Sequence, residues 1–325
     1  MLAGTLKLVE NTGLSHWPQA EYALRQALST AQHSPFAAAL PVWALHRHVE
    51  GLYASRGAPL PQWALCPAFD QLRGRAPFDN AQVMEARSIV RQLSRLPGYG
   101  CQEARRTPDK ADVQRALIIA NVIDTTRFAD TSKGDGPETD ALGGPFALPP
   151  GPLDALWQTL QDLQAGHPPL LSALAGVEAL EDYEMLFPGR VSLAQHLLWP
   201  VLLHWAFGGH FIFQAPTGNV SADKALLHID KAADHFLEKH RDLENWYMSS
   251  LAACGQSRTG SLIPKVLQTF FISPLSTSQA IAEHLRCVRR TTESILSRLE
   301  QCGVVRCMQT SGRLKLWAPT NIKIF

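Results

Sequence analysis

The sequence predicts a mainly α-helical fold, with a multi-helix body followed by a small basic module of three helices and a β-hairpin. Three observations carry that expectation. Apolar residues recur at i, i+3, i+4 steps through most of the chain, the spacing that lines one face of a helix. Alternating strand-like runs are confined to the C-terminal end. Charge is unevenly divided, since residues 259–325 hold nine cations against three anions, a net +6, while the rest of the chain sums to −5.

The elements follow in order. Gln19–Ala31 carries Tyr22, Ala23, Leu24 and Leu28 at helical spacing, and Phe36–Ala54 is richly apolar around Pro41. Asn80–Leu96 repeats the pattern with Val83, Met84, Ala86, Ile89, Val90 and Leu93, and Asp109–Ile123 continues it through Leu117, Ile118 and Ile119. Residues 124–153 break it, because ten of those 30 are Gly or Pro, and such density marks a linker or loop. Its acids Asp130, Asp135, Glu138 and Asp140 lack the spacing of a calcium loop. Helices resume at Leu153–Leu163, Pro168–Leu186, Val191–Phe207 and a long Asp223–Ala252. The division expected is 1–123, an N-terminal helical region; 124–153, the linker; 154–254, a central helical domain packing with 1–123; and 259–325, the C-terminal module.

At 325 residues, 46% hydrophobic and 18% charged, the chain has the make-up of a globular protein of about two domains. A disordered chain, a collagen or a polybasic tail is excluded. The net charge of +1 leaves the chain as a whole no magnet for membranes or nucleic acid. Residues 191–222 carry no Asp, Glu, Lys or Arg, so Leu193–Phe213 must be weighed as a membrane span. Gln195, His196, His204, His210 and Pro200 within it favour a buried central helix instead. Cys66, Cys101, Cys254, Cys287, Cys302 and Cys307 form no CxxC pair, so neither a zinc site nor a disulfide framework is expected. A reducing cytoplasm is the expected compartment, and MLAGTLKLVENTGL shows no secretory signal.

The C-terminal module is the most specific stretch. Leu262, Ile263, Val266, Leu267, Phe270 and Phe271 make one helix, and Ser276-Thr277-Ser278-Gln279 reads as a capping box opening a second. A turn at Arg286-Cys287-Val288 leads into a third, Arg289–Gln301, with Val288, Thr291 or Thr292, Ile295, Leu299 and Cys302 along one face. Gly303 stands where a helix-ending glycine belongs. Val304–Met308, the turn Thr310-Ser311-Gly312 and Leu314–Trp317 complete a hairpin.

That layout is a winged helix-turn-helix, whose third helix enters the DNA major groove. Its off-core residues here are Arg289, Arg290, Glu293, Ser294 and Ser297. Arginine is the commonest reader of guanine. Ser276, Thr277 and Ser278 stand at a helix N-terminus, where free N–H groups bind phosphate, and Arg313 and Lys315 on the hairpin face backbone or minor groove. Double-stranded DNA is therefore the expected partner, bound by a homodimer.

The stretch SLIPKVLQTFFISPLSTSQAIAEHLRCVRRTTESILSRLEQCGVVRCMQTSGRLKLWAP resembles the winged helix that ends many Fic-domain proteins. It also resembles the C-terminal module of uncharacterised, often plasmid-borne proteins of rhizobia, which carry a helical domain ahead of it. PPLLSALAGVEALEDYEMLFPGRVSLAQHLLWPVLLHW (168–205) is similar to the central helix pair of a Fic-like domain, and the likeness covers residues 155–318. The resemblance implies a degenerate, non-catalytic Fic-like body. An active Fic enzyme transfers AMP with a loop holding a general-base His, a glycine-built anion hole and a phosphate-binding Arg. Here Glu184–Ser192 lacks the His, keeps a single Gly189, and matches only at Arg190.

Other constellations are sparse. No GxxxxGK[ST], GxSxG or strand-following GxGxxG occurs. His196 and His204 lack the third ligand that a metal would want, so no metal or cofactor is expected. Arg190, His196, Trp199 and His204 are the candidates for a ligand pocket, with plain core burial as the other reading. Function is thus expected to be DNA-binding transcriptional regulation. A protein-docking adaptor of a mobile element, and an enzyme with a divergent Fic-like pocket, are the alternatives.

Overall fold

The computed structural model describes residues 16–55, 57–60, 64–65, 81–99, 106–125, 148–208, 222–255, 261–273, 275–309 and 315–320. The body comprises α1 (Trp17–His33), α2 (Leu40–Ala54), α3 (Ala81–Leu93), α4 (Lys110–Thr125), α5 (Pro150–Gly166), α6 (Pro169–Ala179), α7 (Val191–Phe207) and α8 (Ala222–Ala253). Prolines stand in the first turns of α1, α2, α5 and α6, where the missing N–H has no helical partner to lose.

Helix α7 is the centre. Every residue from Leu193 to His204 is buried, against α4 and α6 among others. Pro200 sits inside it and cannot donate to the carbonyl four residues back. The neighbouring carbonyl, that of Leu197, receives the Tyr99 hydroxyl at 2.8 Å. Gly98, at φ +89°, lets the chain pass directly over the Pro200 carbonyl. Trp157 of α5 stacks on Trp205 of α7, with centroids 4.9 Å apart and planes 19° apart. Among the described residues no helix is long and apolar enough to cross a membrane.

Two boundaries differ from expectation. The Gly/Pro-rich stretch 124–153 is helical at both ends, since α4 reaches Thr125 and α5 begins at Pro150; residues 126–147 lie outside the described set. Pro168–Leu186 is not one helix, because α6 gives way at Leu180 to a tight 3-10 turn (Leu180–Leu186) with Tyr183 at φ −116°. Glu178, Glu181, Asp182 and Glu184 crowd this helix C-terminus, where negative charge opposes the macrodipole. Burial, and after it Glu181, push the Glu178 carboxyl up to about 7.

The last elements are α9 (Ile263–Ile272), β1 (Ser276–Thr277), α10 (Ser278–Leu285), α11 (Arg289–Gln301), β2 (Val305–Gln309) and β3 (Lys315–Pro319). The sheet order is β1-β3-β2, all antiparallel, with Ser276 opposite Trp317 and Cys307 opposite the same Trp317 on the other side. Val266, Leu267, Phe270, Leu296, Leu299 and Trp317 belong to the same continuous core as α1 and α7.

Candidate functional site

The expected site residues are placed by α10, α11 and the hairpin. Thr277 is the residue that caps α10, accepting from the Ala280 N–H at 3.0 Å. Ser276 was the expected cap, but pairing with β3 draws it into a strand, one residue too early to serve. Gln279 bonds Glu283 rather than reaching back. α10 ends on Arg286, in the left-handed region at φ 50°, with Cys287 N–H returning to the Ala282 carbonyl. Cys287 Sγ then meets Thr292 Oγ1 at 3.3 Å and ties the turn to α11. Gly303, at φ +70°, closes α11 with Val304 N–H on the Leu299 carbonyl.

Thr292, Leu296 and Leu299 form the buried face of α11, with Ile295 half-buried. Val288, expected on that face, is 71% exposed at the turn instead. Its extended backbone (φ −72°, ψ 134°) precedes the first helical residue, so the helical period does not extend to it. Leu296, absent from the expected face, is fully buried in its place. The opposite face presents Arg289, Arg290, Ser294 and Ser297 to solvent.

Glu293 gathers several of the candidates. Arg289 Nε donates to its Oε1 at 2.8 Å, and Ser278 Oγ lies 3.3 Å from the same oxygen. The Arg289 hydrogen bond, with smaller help from Ser278 and Lys315, holds the Glu293 carboxyl below its ordinary range. Arg289, Glu293, Ser278 and Lys315 are thus brought to one place, with Arg290 beside them on the outer face.

The three hydroxyls at the start of α10 do not point outward. Ser276 donates to the Ser273 carbonyl, Thr277 caps Ala280, and Ser278 turns to Glu293; all three residues are buried. Their side chains are therefore engaged within the fold. Arg313 lies outside the described residues, as does the turn Thr310-Ser311-Gly312. One cation is directed inward: Arg298 Nη2 donates to the Cys254 carbonyl at 2.6 Å.

The candidate pocket in the body is not assembled. Arg190 and His204 stand at opposite ends of α7, about 21 Å apart at 1.5 Å rise per residue. Arg190 bonds the backbone and side-chain oxygens of Asn121. His204 Nε2 is 3.2 Å from the Arg106 carbonyl. His196 stacks on His48 at 3.9 Å and 13° between planes, and Trp199 is buried in the core. His48 Nε2 lies 3.0 Å from the Tyr99 hydroxyl. Since that hydroxyl gives its one proton to Leu197, His48 must donate from Nε2. The partners of the α7 residues lie roughly 70 to 150 residues away in sequence, so spacing within α7 carried no sign of them.

No family model matches the chain, and no curated protein is similar to it.

Proposed function

We propose that the chain binds double-stranded DNA through a winged helix-turn-helix formed by α9–β3, and acts as a transcriptional regulator. The observation that carries this reading is the outer face of α11. Arg289, Arg290, Ser294 and Ser297 are all exposed there, on the helix that such a fold presents to the major groove. The order helix–strand–helix–helix–strand–strand and the β1-β3-β2 sheet support it, as does the +6 charge of residues 259–325. Arg290 is the base reader, Arg289 is held by Glu293 for base or phosphate, and Lys315 meets backbone phosphate. The protein acts as a cytoplasmic homodimer on paired half-sites.

The body has the degenerate Fic-like layout without catalysis. Gly189 N–H, an amide that a phosphate would need, bonds the Glu184 carboxylate, and Arg190 is taken up by Asn121. A second reading, a protein-docking adaptor, is favoured by one observation, the exposed Val288 at the tip of the turn before α11.

Fluorescence anisotropy with genomic and random duplexes at two salt concentrations tests both. Sequence-dependent binding that weakens with salt supports the regulator. No binding at low salt removes it and leaves the adaptor.

A further inference from the structure

Among the described residues seven carry a positive φ, and six of them are glycines. Helix α7 ends on Gly208 at φ +67°, and Gly303 closes α11 at φ +70°. At the end of α10 the same conformation falls instead to Arg286, at φ 50° and ψ 46°. A Cβ in that region crowds the following carbonyl, a cost that glycine avoids. The turn itself is closed by main-chain bonds, from the Arg286 N–H to the Glu283 carbonyl at 3.2 Å and from the Cys287 N–H to the Ala282 carbonyl at 2.9 Å. A glycine would make both, so the turn has no need of an arginine.

The fold has no use for the side chain either. Arg289 is held by Glu293, and Arg298 by the Cys254 carbonyl. Among the described residues the Arg286 guanidinium has no hydrogen-bond or ion-pair partner. Glu283, the acid three positions back, is taken up by Gln279. Cys287 turns inward to Thr292, while Arg286, Val288, Arg289 and Arg290 are exposed. Three arginines thus crowd five consecutive positions with no acid among them. The Arg286 Cα stands within about 10 Å of that of Arg289, the reach of three residues.

We propose that Arg286 is a phosphate-binding residue, a sequence-independent contact to the backbone of duplex DNA beside the bases that α11 reads. The assignment rests on the DNA-binding reading above. Unfavourable backbone persists where a side chain is needed for function, and here the side chain reaches only solvent. A guanidinium fork takes two phosphate oxygens at once. Such a contact sets the register of the protein on the duplex and carries no sequence information. A cation at the end of α10 also suits the helix macrodipole, but that role would appear as stability and not as affinity.

The test compares the full-length wild type with Arg286→Gly, Arg286→Gln and Arg286→Lys. Each is melted thermally, and each is titrated by fluorescence anisotropy with labelled random-sequence and genomic duplexes at stepped salt. Arg286→Gly should melt no lower than the wild type, because the strain leaves with the Cβ. It should bind every duplex about 3-fold more weakly, and the slope of log affinity against log salt should shrink by about 1. Arg286→Gln, which keeps the Cβ and loses the charge, should show the same binding loss and stands in if the glycine variant fails to fold. Arg286→Lys should restore the slope. An unchanged slope in the glycine and glutamine variants would overturn the assignment while the DNA reading stands. A loss confined to one sequence would make Arg286 a base reader and overturn it too. No binding of the wild type to any duplex at low salt removes the DNA reading and this assignment with it.

Discussion

The ring of Phe36, in the corner between α1 and α2, lies 3.9 Å from the ring of Phe271 on α9, centroid to centroid. Tyr247 and Trp246 of α8 close around the same pair, Tyr247 edge-on to Phe36 and Trp246 edge-on to Phe271. Trp246 Nε1 also donates to the Thr320 carbonyl beyond β3 at 3.0 Å. The body and the C-terminal module therefore meet through an aromatic cluster with a polar clasp at its edge.

Phe271→Ala removes the centre of that cluster. The expected loss is about 3–5 kcal/mol, the range for truncating a fully buried aromatic ring. Urea unfolding followed by tryptophan fluorescence and by far-ultraviolet dichroism measures it. The two probes should coincide in the wild type and separate in the variant as the module loosens first. A loss below about 1 kcal/mol would show that the cluster relaxes around the gap.

Gly98→Ala attacks the body at its tightest crossing. A Cβ there would run into the Pro200 carbonyl and meet the His204 Cβ at 3.2 Å, on a backbone already at φ +89°. Backbone must move, so a destabilisation of about 2 kcal/mol or more is expected, read as a fall in the urea midpoint. Gly57→Ala is the control, with positive φ but open space around it, and should cost less.

Protonation of its buried histidines should weaken the body in acid. Burial lowers His46 to about 4, and burial with His196 nearby lowers His48 well below 6.5. Above about pH 6.5 these rings are neutral in both folded and unfolded chains, and the stability is fully present. As pH falls from 6.5 toward the folded values, the unfolded chain takes up protons that the folded one refuses, and stability is lost. His46 alone accounts for about 3 kcal/mol by pH 4. Urea midpoints measured from pH 7.5 to 4.5 should fall less in His46→Gln than in the wild type, while the raised Glu178 carboxyl works in the opposite direction in both.

On DNA, Arg289→Ala and Arg290→Ala should each weaken specific binding by ~1–3 kcal/mol while leaving nonspecific binding close to wild type. Lys315→Ala should weaken all sequences alike and lower the salt slope by about 1. Wild-type affinity in both arginine variants would sink the DNA reading. Glu293→Gln, which releases Arg289 from its ion pair, should raise nonspecific affinity.

Thr277→Ala tests the cap that sequence spacing misassigned. The Ala280 N–H would lose its partner, for about 1 kcal/mol. Ser276→Ala removes only a bond to the Ser273 carbonyl. Thermal melts of the two variants rank the positions directly.

The helices were legible because their signals are local. Periodicity placed α1, α4, α7, α8 and α11 within three residues at each end, and Gly303 marked the end of α11. What the sequence misread depends on distant partners. Ser276 left the cap because β3, forty residues on, pairs with it. Ser278 turned inward to Glu293, and His196 to His48. The 3-10 turn after α6 reflects an acidic helix end whose apolar spacing continues unbroken through Leu180 and Leu186. In the candidate site, the outer face of α11 could be read from spacing alone. The inward use of Arg298 could not, since a cation's direction is set by what lies opposite.

Helix α8 runs unbroken for 32 residues, about 48 Å at 1.5 Å per residue. Its upstream half buries Leu226, Ile229 and Ala233 in the body, while Trp246 and Cys254 lie under the module. A rod of that length converts small rotations into useful travel, since a tilt of about 3° at one end swings the other by ~2.5 Å. Repacking α1 against the upstream half would therefore re-aim α11 at the far end by the width of a hydrogen bond, with no joint in between to absorb it.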